Sequence, residues 1–239
     1  MRILITGATS GIGKQLALDY RAEGHEVLAV GRSAAALADL AQQGIHTGQV
    51  DLENREATLG WFAGLGPLDL AILSAGNCEY IDLPAFDSAL VARVMRANVE
   101  SLAHSIEGVL PHLRKGNSPH LVGIGSSAAY LPLPRAEAYG ASKAAVAYLL
   151  DTLRITLAGE GIRVSHVAPG FVKTPLTDRN DFPMPCLVTV EQASAAIRKG
   201  ISAGSKEIHF PKRFTGTMKL LSLLPRSLWL AIARKMVRA

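Results

Sequence analysis

Residues 2–13 read RILITGATSGIG, and this stretch decides the fold. The apolar run Arg2–Thr6 is typical of a buried strand, and a helical pattern begins at Ile12. The glycines between them allow a tight bend and let backbone N–H groups approach a pyrophosphate at the positive end of the helix dipole. Their spacing is G-x-x-x-G-x-G, so a simple tight turn is the alternative interpretation. The predicted nucleotide contacts in this turn are Gly7, Thr9, Ser10, Gly11, Ile12 and Gly13.

Short apolar runs alternate with helical patterns as far as about residue 210. The apolar residues run almost without interruption (ILI, VLAV, LAIL, LVGI), as in strands that are covered on both faces. This alternation predicts an α/β fold with a doubly wound parallel sheet of about seven strands, joined by right-handed crossovers. The predicted strands are Arg2–Thr6, Glu26–Val30, His46–Val50, Asp69–Ser74, His120–Ser126, Arg163–Ala168 and Glu207–Phe210. The predicted helices are Ile12–Glu23, Ala34–Gln43, Glu53–Gly64, Phe86–Leu113, Ala138–Gly159 and Val190–Ser202.

Composition limits the class of protein. Of the 239 residues, 49% are hydrophobic and 19% are charged, which suits a chain with a large buried core. With no linker or internal repeat, residues 1–210 are predicted to form one domain and residues 211–239 a helical extension of it. The two cysteines, Cys78 and Cys186, lack metal-ligand spacing and are predicted to be free thiols. The histidines are scattered as well, so no metal site is expected.

The start of the chain and its charge bear on location and partners. The chain opens directly into an apolar strand, and no apolar run is long enough to span a membrane, so we expect a cytoplasmic protein. The net charge of +5 is concentrated at the C-terminus, where residues 208–239 hold seven Lys or Arg and no Asp or Glu. The rest of the chain therefore carries −2 and has no basic stripe, so no nucleic-acid partner is expected.

A second stretch, residues 119–143 (PHLVGIGSSAAYLPLPRAEAYGASK), carries three side chains suited to proton transfer. Tyr139 and Lys143 are four residues apart on a predicted helix, so they share one face, and Ser126 ends the preceding strand. A cation held close to a phenol lowers its pKa from the usual value of about 10. The set predicts a proton donor and acceptor near neutral pH. The alternative is a half-buried tyrosine, a solvated lysine and a serine that caps the strand.

The end of the second predicted strand indicates which nucleotide would bind. NAD-binding domains usually place an acidic residue there, about 20 residues beyond the glycine turn, to hold the ribose 2′-hydroxyl. Here the strand ends Val30-Gly31-Arg32-Ser33, with no acidic residue before Asp39. Arg32 and Ser33 can instead hold a 2′-phosphate through charge-assisted hydrogen bonds. The sequence therefore favours NADP(H) over NAD(H), unless Arg32 only stacks on the adenine and either cofactor binds.

Five motifs, in order, resemble the short-chain dehydrogenase/reductase family in its short single-domain branch. They are TGATSGIG, Asp51-Leu52 after the third strand, LSAG at 73–76, Ser126 with YGASK, and APGFVKT at 168–174. Asn98, within MRANV, matches the asparagine of the family's catalytic set. The resemblance covers about residues 2–210. It implies a Rossmann fold and an oxidoreductase that transfers a hydride between a nicotinamide and a carbonyl or secondary alcohol.

The resemblance also implies a role for each matching residue. Tyr139 would be the general acid/base, and Lys143 would lower its pKa and hold the nicotinamide ribose. Ser126 would hold the substrate oxygen, and Asn98 would order a water that links Lys143 to solvent. The other implied cofactor contacts are Asp51 and Leu52 at the adenine, Ala75 and Gly76 at the adenosine ribose, and Pro169, Gly170, Val172 and Thr174 around the nicotinamide amide.

Three positions depart from the family's pattern. Leu73 and Ser74 stand where the family usually has two asparagines, so we expect an altered local hydrogen-bond network. Ser10 stands where NADP-preferring members often carry Lys or Arg, so the NADP prediction depends mainly on Arg32.

Substrate selection is predicted for a lid at about residues 175–190. Its three prolines and its lack of a helical period indicate an irregular segment over the nicotinamide. The candidate pocket lining would favour an apolar ketone, aldehyde or secondary alcohol, unless these residues only pack the lid down. They are Phe171, Phe182, Met184, Leu187, Tyr130, Leu131 and Leu133.

The basic C-terminal segment has helical candidates at Met218–Leu224 and Arg226–Ala239. Three alternatives remain open: packing over the substrate site or a neighbouring subunit, peripheral contact with an anionic membrane as a basic amphipathic helix, or partial disorder. In the second candidate, helical spacing places an apolar set on one side and a basic set on the other. These are Trp229, Ile232, Ala233, Met236 and Val237 against Arg234, Lys235 and Arg238.

The leading prediction is an NADP-dependent oxidoreductase. Its predicted substrate is an apolar carbonyl compound or secondary alcohol. By family resemblance it would form a homodimer or homotetramer through its two long helices. A reductase of 3-oxoacyl thioesters and a non-catalytic regulator that binds NADP(H) are the alternatives. The four matched catalytic residues disfavour a regulator, because a sensor has no use for a proton donor.

Overall fold

Seven parallel strands form one sheet in the structure, a computed structural model that describes residues 1–237. The strands are β1 Arg2–Thr6, β2 Glu26–Gly31, β3 His46–Gln49, β4 Leu70–Leu73, β5 His120–Ile124, β6 Arg163–Pro169 and β7 Glu207–Phe210. They lie in the order β3-β2-β1-β4-β5-β6-β7, and every neighbouring pair is parallel. The predicted parallel sheet is confirmed: β1 and β7 have the predicted ends, and the ends of the other strands differ by at most two residues.

Helices cover both faces of this sheet. They are α1 Gly11–Ala22, α2 Ala34–Gln42, α3 Arg55–Phe62, α4 Ser88–Met95, α5 Ser101–Leu113, α6 Glu137–Thr156, α7 Val190–Ser202, α8 Lys212–Leu221 and α9 Arg226–Arg234. Ile3 and Ile5 of β1 pack in the core with α1 and α7, while Leu4 between them packs with α3, α5 and α6. Because successive side chains alternate between faces, a strand covered on both sides needs an uninterrupted apolar run.

The direction of winding reverses between β1 and β4, and this opens a crevice at the carboxyl ends of the strands. Such a switch point is where doubly wound sheets bind their ligands. Gly7 follows β1 there with φ of +63°, and a Cβ on it would lie 2.7 Å from the backbone nitrogen of Ala75. Glycine is therefore required at this position, since any side chain would push the two strand ends apart.

The long helix predicted at Phe86–Leu113 is present as α4, a π-helical turn and α5 in direct succession, but its start differs. Phe86 lies outside any helix, and α4 begins only after Asp87, whose carboxylate accepts the backbone N–H of Ala89 at 2.8 Å. A π-helical turn at Arg96–Glu100 then separates α4 from α5. The turn contains Asn98, whose amide is buried and hydrogen-bonded to the loop after β4. Short π-helical turns of this kind are frequent at functional sites.

The C-terminal helices α8 and α9 pack against the loop that follows β5. Trp229 of α9 is only 4% exposed, and its indole Nε1 donates to the carbonyl of Pro132 at 2.9 Å. Glu207 of β7 accepts hydrogen bonds from Tyr130 in that loop and from Lys219 in α8, so one carboxylate joins strand, loop and tail. The tail therefore packs on the body of the domain, against the loop that follows β5.

The predicted apolar side of the tail is only partly correct. Trp229 and Ala233 are buried, but Ile232, Met236 and Val237 are exposed. Trp229 and Ala233 are four residues apart and therefore lie on one narrow stripe of α9. Only this stripe contacts the body of the domain. The part of the prediction that concerns Arg238 lies outside the described residues. No helix within residues 1–237 is long and apolar enough to cross a membrane.

Candidate active site

A cavity of about 490 Å³ follows the carboxyl ends of the strands, from the glycine turn to Tyr139. Its wall brings together residues from all five sequence motifs. The predicted site residues that line it are Gly7, Thr9, Ser10, Gly11, Ile12, Gly13, Arg32, Asp51, Leu52, Ala75, Gly76, Ser126, Tyr139, Lys143, Pro169, Gly170, Val172 and Thr174. Ser33 and Asn98 do not line it.

Arg32 marks one end of the cavity, just beyond β2. Its side chain is 71% exposed, and its Nη1 lies 3.6 Å from a carboxylate oxygen of Glu53. Ser33 next to it has another task, because its hydroxyl accepts the backbone N–H of Ala36 at 3.3 Å and caps α2. Of the two residues predicted to hold a 2′-phosphate, only Arg32 borders the cavity.

Ser126, Tyr139 and Lys143 meet at the other end of the cavity. Ser126 follows β5, where its Oγ accepts the backbone N–H of Ala128 at 3.1 Å, and it is hydrogen-bonded to Tyr139. Lys143 is one helical turn after Tyr139 on α6, and its Nζ lies 5.8 Å from the centre of the phenol ring. The same Nζ donates to the carbonyl of Ile124 at 3.1 Å. A strand end and the first turns of a helix thus hold the three groups together.

Burial dominates the electrostatics of this pair. It raises the pKa of Tyr139 above its usual value of 10, although the hydrogen bond with Ser126 opposes the increase. Burial also lowers the pKa of Lys143 from 10.5 to about 8. Desolvation disfavours the charged form of both groups, so the lowering of the tyrosine pKa by Lys143 that the family resemblance implies stays a prediction. At neutral pH this arrangement keeps the phenol proton available for donation.

Asn98 lies just behind the cavity wall. It is 2% exposed, and its amide oxygen accepts the backbone N–H of Asn77 at 2.7 Å while its nitrogen donates to the Asn77 carbonyl and to Ser142 of α6. A Cβ on Gly76 would lie 2.9 Å from the Asn98 oxygen and 3.4 Å from the Lys143 nitrogen. Asn98 therefore braces the loop after β4 against α6, next to Lys143.

The loop after β4 is held by a hydroxyl at the end of β1. The hydroxyl of Thr6, at the end of β1, accepts the backbone N–H of Ser74 at 3.1 Å and that of Ala75 at 3.4 Å. One buried threonine hydroxyl thus serves two amides of the neighbouring strand end.

The lid is mostly irregular, as predicted, with one short helical turn at Thr177–Arg179. It is tied down by Arg135, which forms ion pairs with Asp82 at 2.6 Å and with Asp181 of the lid at 2.7 Å. Phe182 adds an aromatic contact, because its ring packs edge-on against Tyr80 with centroids 5.4 Å apart.

The predicted substrate-lining residues do not border the cavity. Phe171 and Phe182 pack on each other with ring centroids 6.1 Å apart, within the aromatic cluster under the lid. Three others, Tyr130, Leu131 and Leu133, pack against the C-terminal helices, and Leu187 is 43% exposed. Met184 contacts Asn180 within the lid. The loop residues that were predicted to contact substrate contact α8 and α9 instead. The sequence did not indicate the position of these two helices.

Several cavity residues were missed by the sequence analysis. Asn77 and Glu79 follow Gly76, and Leu176 and Arg179 follow Thr174, so each extends a recognised motif by a few positions. Arg93 of α4 also lines the cavity and is paired with Glu79 at 3.0 Å. Motif extension could have found the first four, but nothing in the sequence places α4 beside the loop. Both cysteines are free thiols, as predicted.

A doubly wound sheet with a glycine turn at its switch point and a Tyr–Lys pair at the far end of one cavity defines a dinucleotide-dependent oxidoreductase. The sequence model described as short chain dehydrogenase matches residues 1–182. The chain belongs to this family, and the resemblance seen in its motifs is confirmed.

Individual relatives agree with this assignment. An uncharacterized oxidoreductase of Myxococcus xanthus is 35% identical over 243 residues, which cover 98% of this chain and 96% of that protein. The NADP-dependent 3-hydroxy acid dehydrogenase YdfG of Salmonella typhi is 32% identical over 181 residues, or 72% of this chain and 73% of its own. A solved structure of serine dehydrogenase complexed with NADP+, in its closed form, has a TM-score of 0.76 and 26% identity, and covers 88% of this chain and 94% of its own.

Replacing Lys143 by Met is expected to raise the free energy of unfolding near neutral pH by about 1–3 kcal/mol, because it removes a buried charge at the loss of one hydrogen bond. The folded-state pKa of about 8 lies below the usual 10.5, so the unfolded chain binds more protons between these pH values. The wild type therefore gains stability as the pH rises from about 8 to about 10.5, and the advantage of Lys143→Met shrinks over that range.

Urea unfolding of the wild type and the variant across this pH range tests the expectation. Lys115→Met, which changes an exposed lysine, is the control and should show no such pH dependence. A stability difference for Lys143→Met that stays constant with pH would contradict the buried-charge explanation.

Proposed function

We propose that this chain is an NADP-dependent oxidoreductase that transfers a hydride between the nicotinamide and a carbonyl or secondary alcohol. The observation that carries the proposal is the single cavity that joins the glycine turn and Arg32 at one end to Ser126, Tyr139 and Lys143 at the other. Family membership supports the reaction class, and relatives named for NADP support the cofactor.

The residues present fit a dinucleotide. A Cβ on Gly13 would lie 2.4 Å from the carbonyl oxygen of Gly7, so the glycines keep the turn tight where a pyrophosphate would approach backbone N–H groups. Arg32 borders the cavity where the family holds the adenosine ribose, with Gly31 in contact with Thr9 behind it. A guanidinium suits a 2′-phosphate, because it donates charge-assisted hydrogen bonds in a fixed fork.

The nicotinamide supplies or accepts the hydride when it is bound. In the reducing direction Tyr139 donates its phenol proton to the substrate oxygen, and the raised pKa keeps that proton in place until it is needed. Ser126 holds the substrate oxygen close to the phenol. Lys143, still mostly cationic at neutral pH, stabilises the phenolate that forms, and Asn98 fixes the loop beside it.

The substrate is proposed to be apolar, with a hydroxy acid as the second candidate. Four aromatic rings meet beneath the lid, where Phe171 contacts both Phe182 and Phe214, and Phe182 contacts Tyr80. They do not border the cavity, so they support an apolar substrate only by making the surroundings of the lid apolar. Arg179 on the lid also lines the cavity, which would suit a carboxylate. Relatives named as 3-hydroxy acid and serine dehydrogenases act on such compounds. A 3-oxoacyl thioester remains an alternative substrate.

Replacing Tyr139 by Phe removes the proposed proton donor and leaves the ring in place. We expect the turnover number for any accepted carbonyl to fall by about 10²- to 10⁴-fold, because general acid catalysis contributes an effect of this size. The affinity for NADPH should stay within about twofold. The turnover number would be measured by NADPH absorbance on a panel of apolar ketones and aldehydes, 3-oxo acids and 3-oxoacyl thioesters. The affinity for NADPH would be measured by fluorescence titration.

The same panel separates the enzyme from a non-catalytic regulator. A wild-type protein that binds NADPH but reduces nothing on the panel would favour the regulator. An unchanged turnover number in Tyr139→Phe would show that another group supplies the proton. Arg179→Ala should weaken turnover of 3-oxo acids selectively if the hydroxy-acid alternative is right.

Replacing Arg32 by Ala is expected to raise the dissociation constant for NADPH by roughly 10- to 100-fold, as loss of charged hydrogen bonds would. The dissociation constant for NADH should change by less than about threefold. Isothermal titration with both cofactors measures the difference, with Arg55→Ala, which removes an exposed arginine paired with Glu107, as the control. An equal loss for both cofactors would mean that Arg32 does not recognise the 2′-phosphate.

We further propose that the protein is a cytoplasmic homodimer or homotetramer. Tyr148 and Ile155 of α6 are 78% and 77% exposed and lie seven residues apart, on the same side of the helix. Exposed apolar residues on a long helix favour burial against a second copy.

Light scattering should therefore give two or four times the chain mass of 25.3 kDa. Ile155→Glu should shift the protein toward the monomer, whereas Leu83→Glu, at a residue 69% exposed in a loop, should not. A wild-type mass equal to that of one chain at micromolar concentration would refute the assembly.

A further inference from the structure

The tail helices α8 and α9 present two different faces. The inner face is satisfied by the body: Met218, Trp229 and Ala233 form a buried cluster with Leu131. This cluster and the Trp229 hydrogen bond fix the orientation of the tail, so the opposite face has a defined direction relative to the body. What that outer face does is not explained by the hydride chemistry.

The outer face is unusually apolar for a surface. Leu228 and Ile232 are 48% and 39% exposed and lie four residues apart on α9, so they form one stripe beside its buried side. Met236, which is 53% exposed, follows in the turn after α9. Leu220 and Leu223, at the junction with α8, are 67% and 80% exposed. We call these five residues the outer apolar surface. Exposed apolar residues concentrated in this way mark an interaction site.

The charges around this surface indicate its partner. Lys212, Arg213, Arg226, Arg234 and Lys235 are all exposed, and the sequence has no Asp or Glu after Glu207. Pairing of this surface with itself in a second copy would bring like charges together. An anionic lipid surface instead accepts apolar side chains at the boundary of the acyl chains and attracts the basic residues around them.

We propose that the outer apolar surface binds the protein peripherally to an anionic membrane. The leucine, isoleucine and methionine side chains enter the headgroup region, and the surrounding lysines and arginines contact the acidic head groups. The inner face stays packed on the body throughout, so binding needs no unfolding of α9. This differs from the arrangement expected from sequence, in which Trp229 itself would have faced the lipid.

Cosedimentation of the full chain with vesicles tests the proposal. We expect binding to phosphatidylcholine vesicles that contain phosphatidylglycerol, weaker binding at high salt, and little binding to phosphatidylcholine alone. The triple variant Leu228→Ser, Ile232→Ser, Met236→Ser should lower the partition coefficient at least tenfold. The control variant Leu83→Ser, Phe86→Ser changes two equally exposed apolar residues outside the tail and should bind like the wild type.

A charge-reversal variant separates the two contributions. Arg234→Glu with Lys235→Glu should lower binding to anionic vesicles by at least about tenfold, since each basic residue near such a surface contributes roughly fivefold. Equal vesicle binding by the wild type and both tail variants would overturn the proposal. The proposal would also be overturned if the wild type did not bind anionic vesicles and the triple variant changed only the mass measured by light scattering. A second copy would then cover the surface.

Discussion

Lys143 is held with its ammonium group away from water, one turn after Tyr139 and in contact with the carbonyl of Ile124 at the end of β5. Burying a charge with a single neutral partner costs the folded state free energy, and the low pKa of Lys143 expresses that cost. The stability of the sheet must offset this cost in free energy. In the proposed reaction, this cation would need no reorganisation when negative charge develops on the neighbouring phenol, and such preorganisation is the main source of electrostatic catalysis.

Close packing also determines the rest of the cavity wall. Its floor is backbone rather than side chain, because Gly7, Gly13 and Gly76 stand where a Cβ would lie within 3 Å of another residue. Thr6 and Asn98 then satisfy the amides that this close approach leaves without strand partners. A dinucleotide site of this kind is therefore built from polar groups at strand ends, and the apolar core begins only one residue further back.

Most of the fold could be predicted from sequence because period-two and period-3.6 patterns report local structure directly. The cavity wall could be predicted as far as it follows motifs at strand ends, since parallel strands bring those ends together. Contacts between elements distant in sequence could not. Tyr130 is an example: it was predicted to line the substrate pocket, but its hydroxyl donates to Glu207 of β7, which also pairs with Lys219 of α8. The π-helical turn around Asn98 was missed for a similar reason, because its amide bonds depend on the tertiary position of Asn77.

The division between shared and individual features follows the chain. Ser126, Tyr139 and Lys143 all lie inside the family match, which ends at residue 182. The second half of the lid and the whole tail lie beyond that limit. The relative from Salmonella typhi aligns with 72% of this chain, but the relative from Myxococcus xanthus aligns with 98%. The alignment with the Myxococcus xanthus relative therefore includes most of the tail. Trp229 of this tail holds the loop that follows β5. A substitution on the inner face of the tail would therefore affect that loop. The outer face is not constrained by the loop and can change with the surface that the protein contacts.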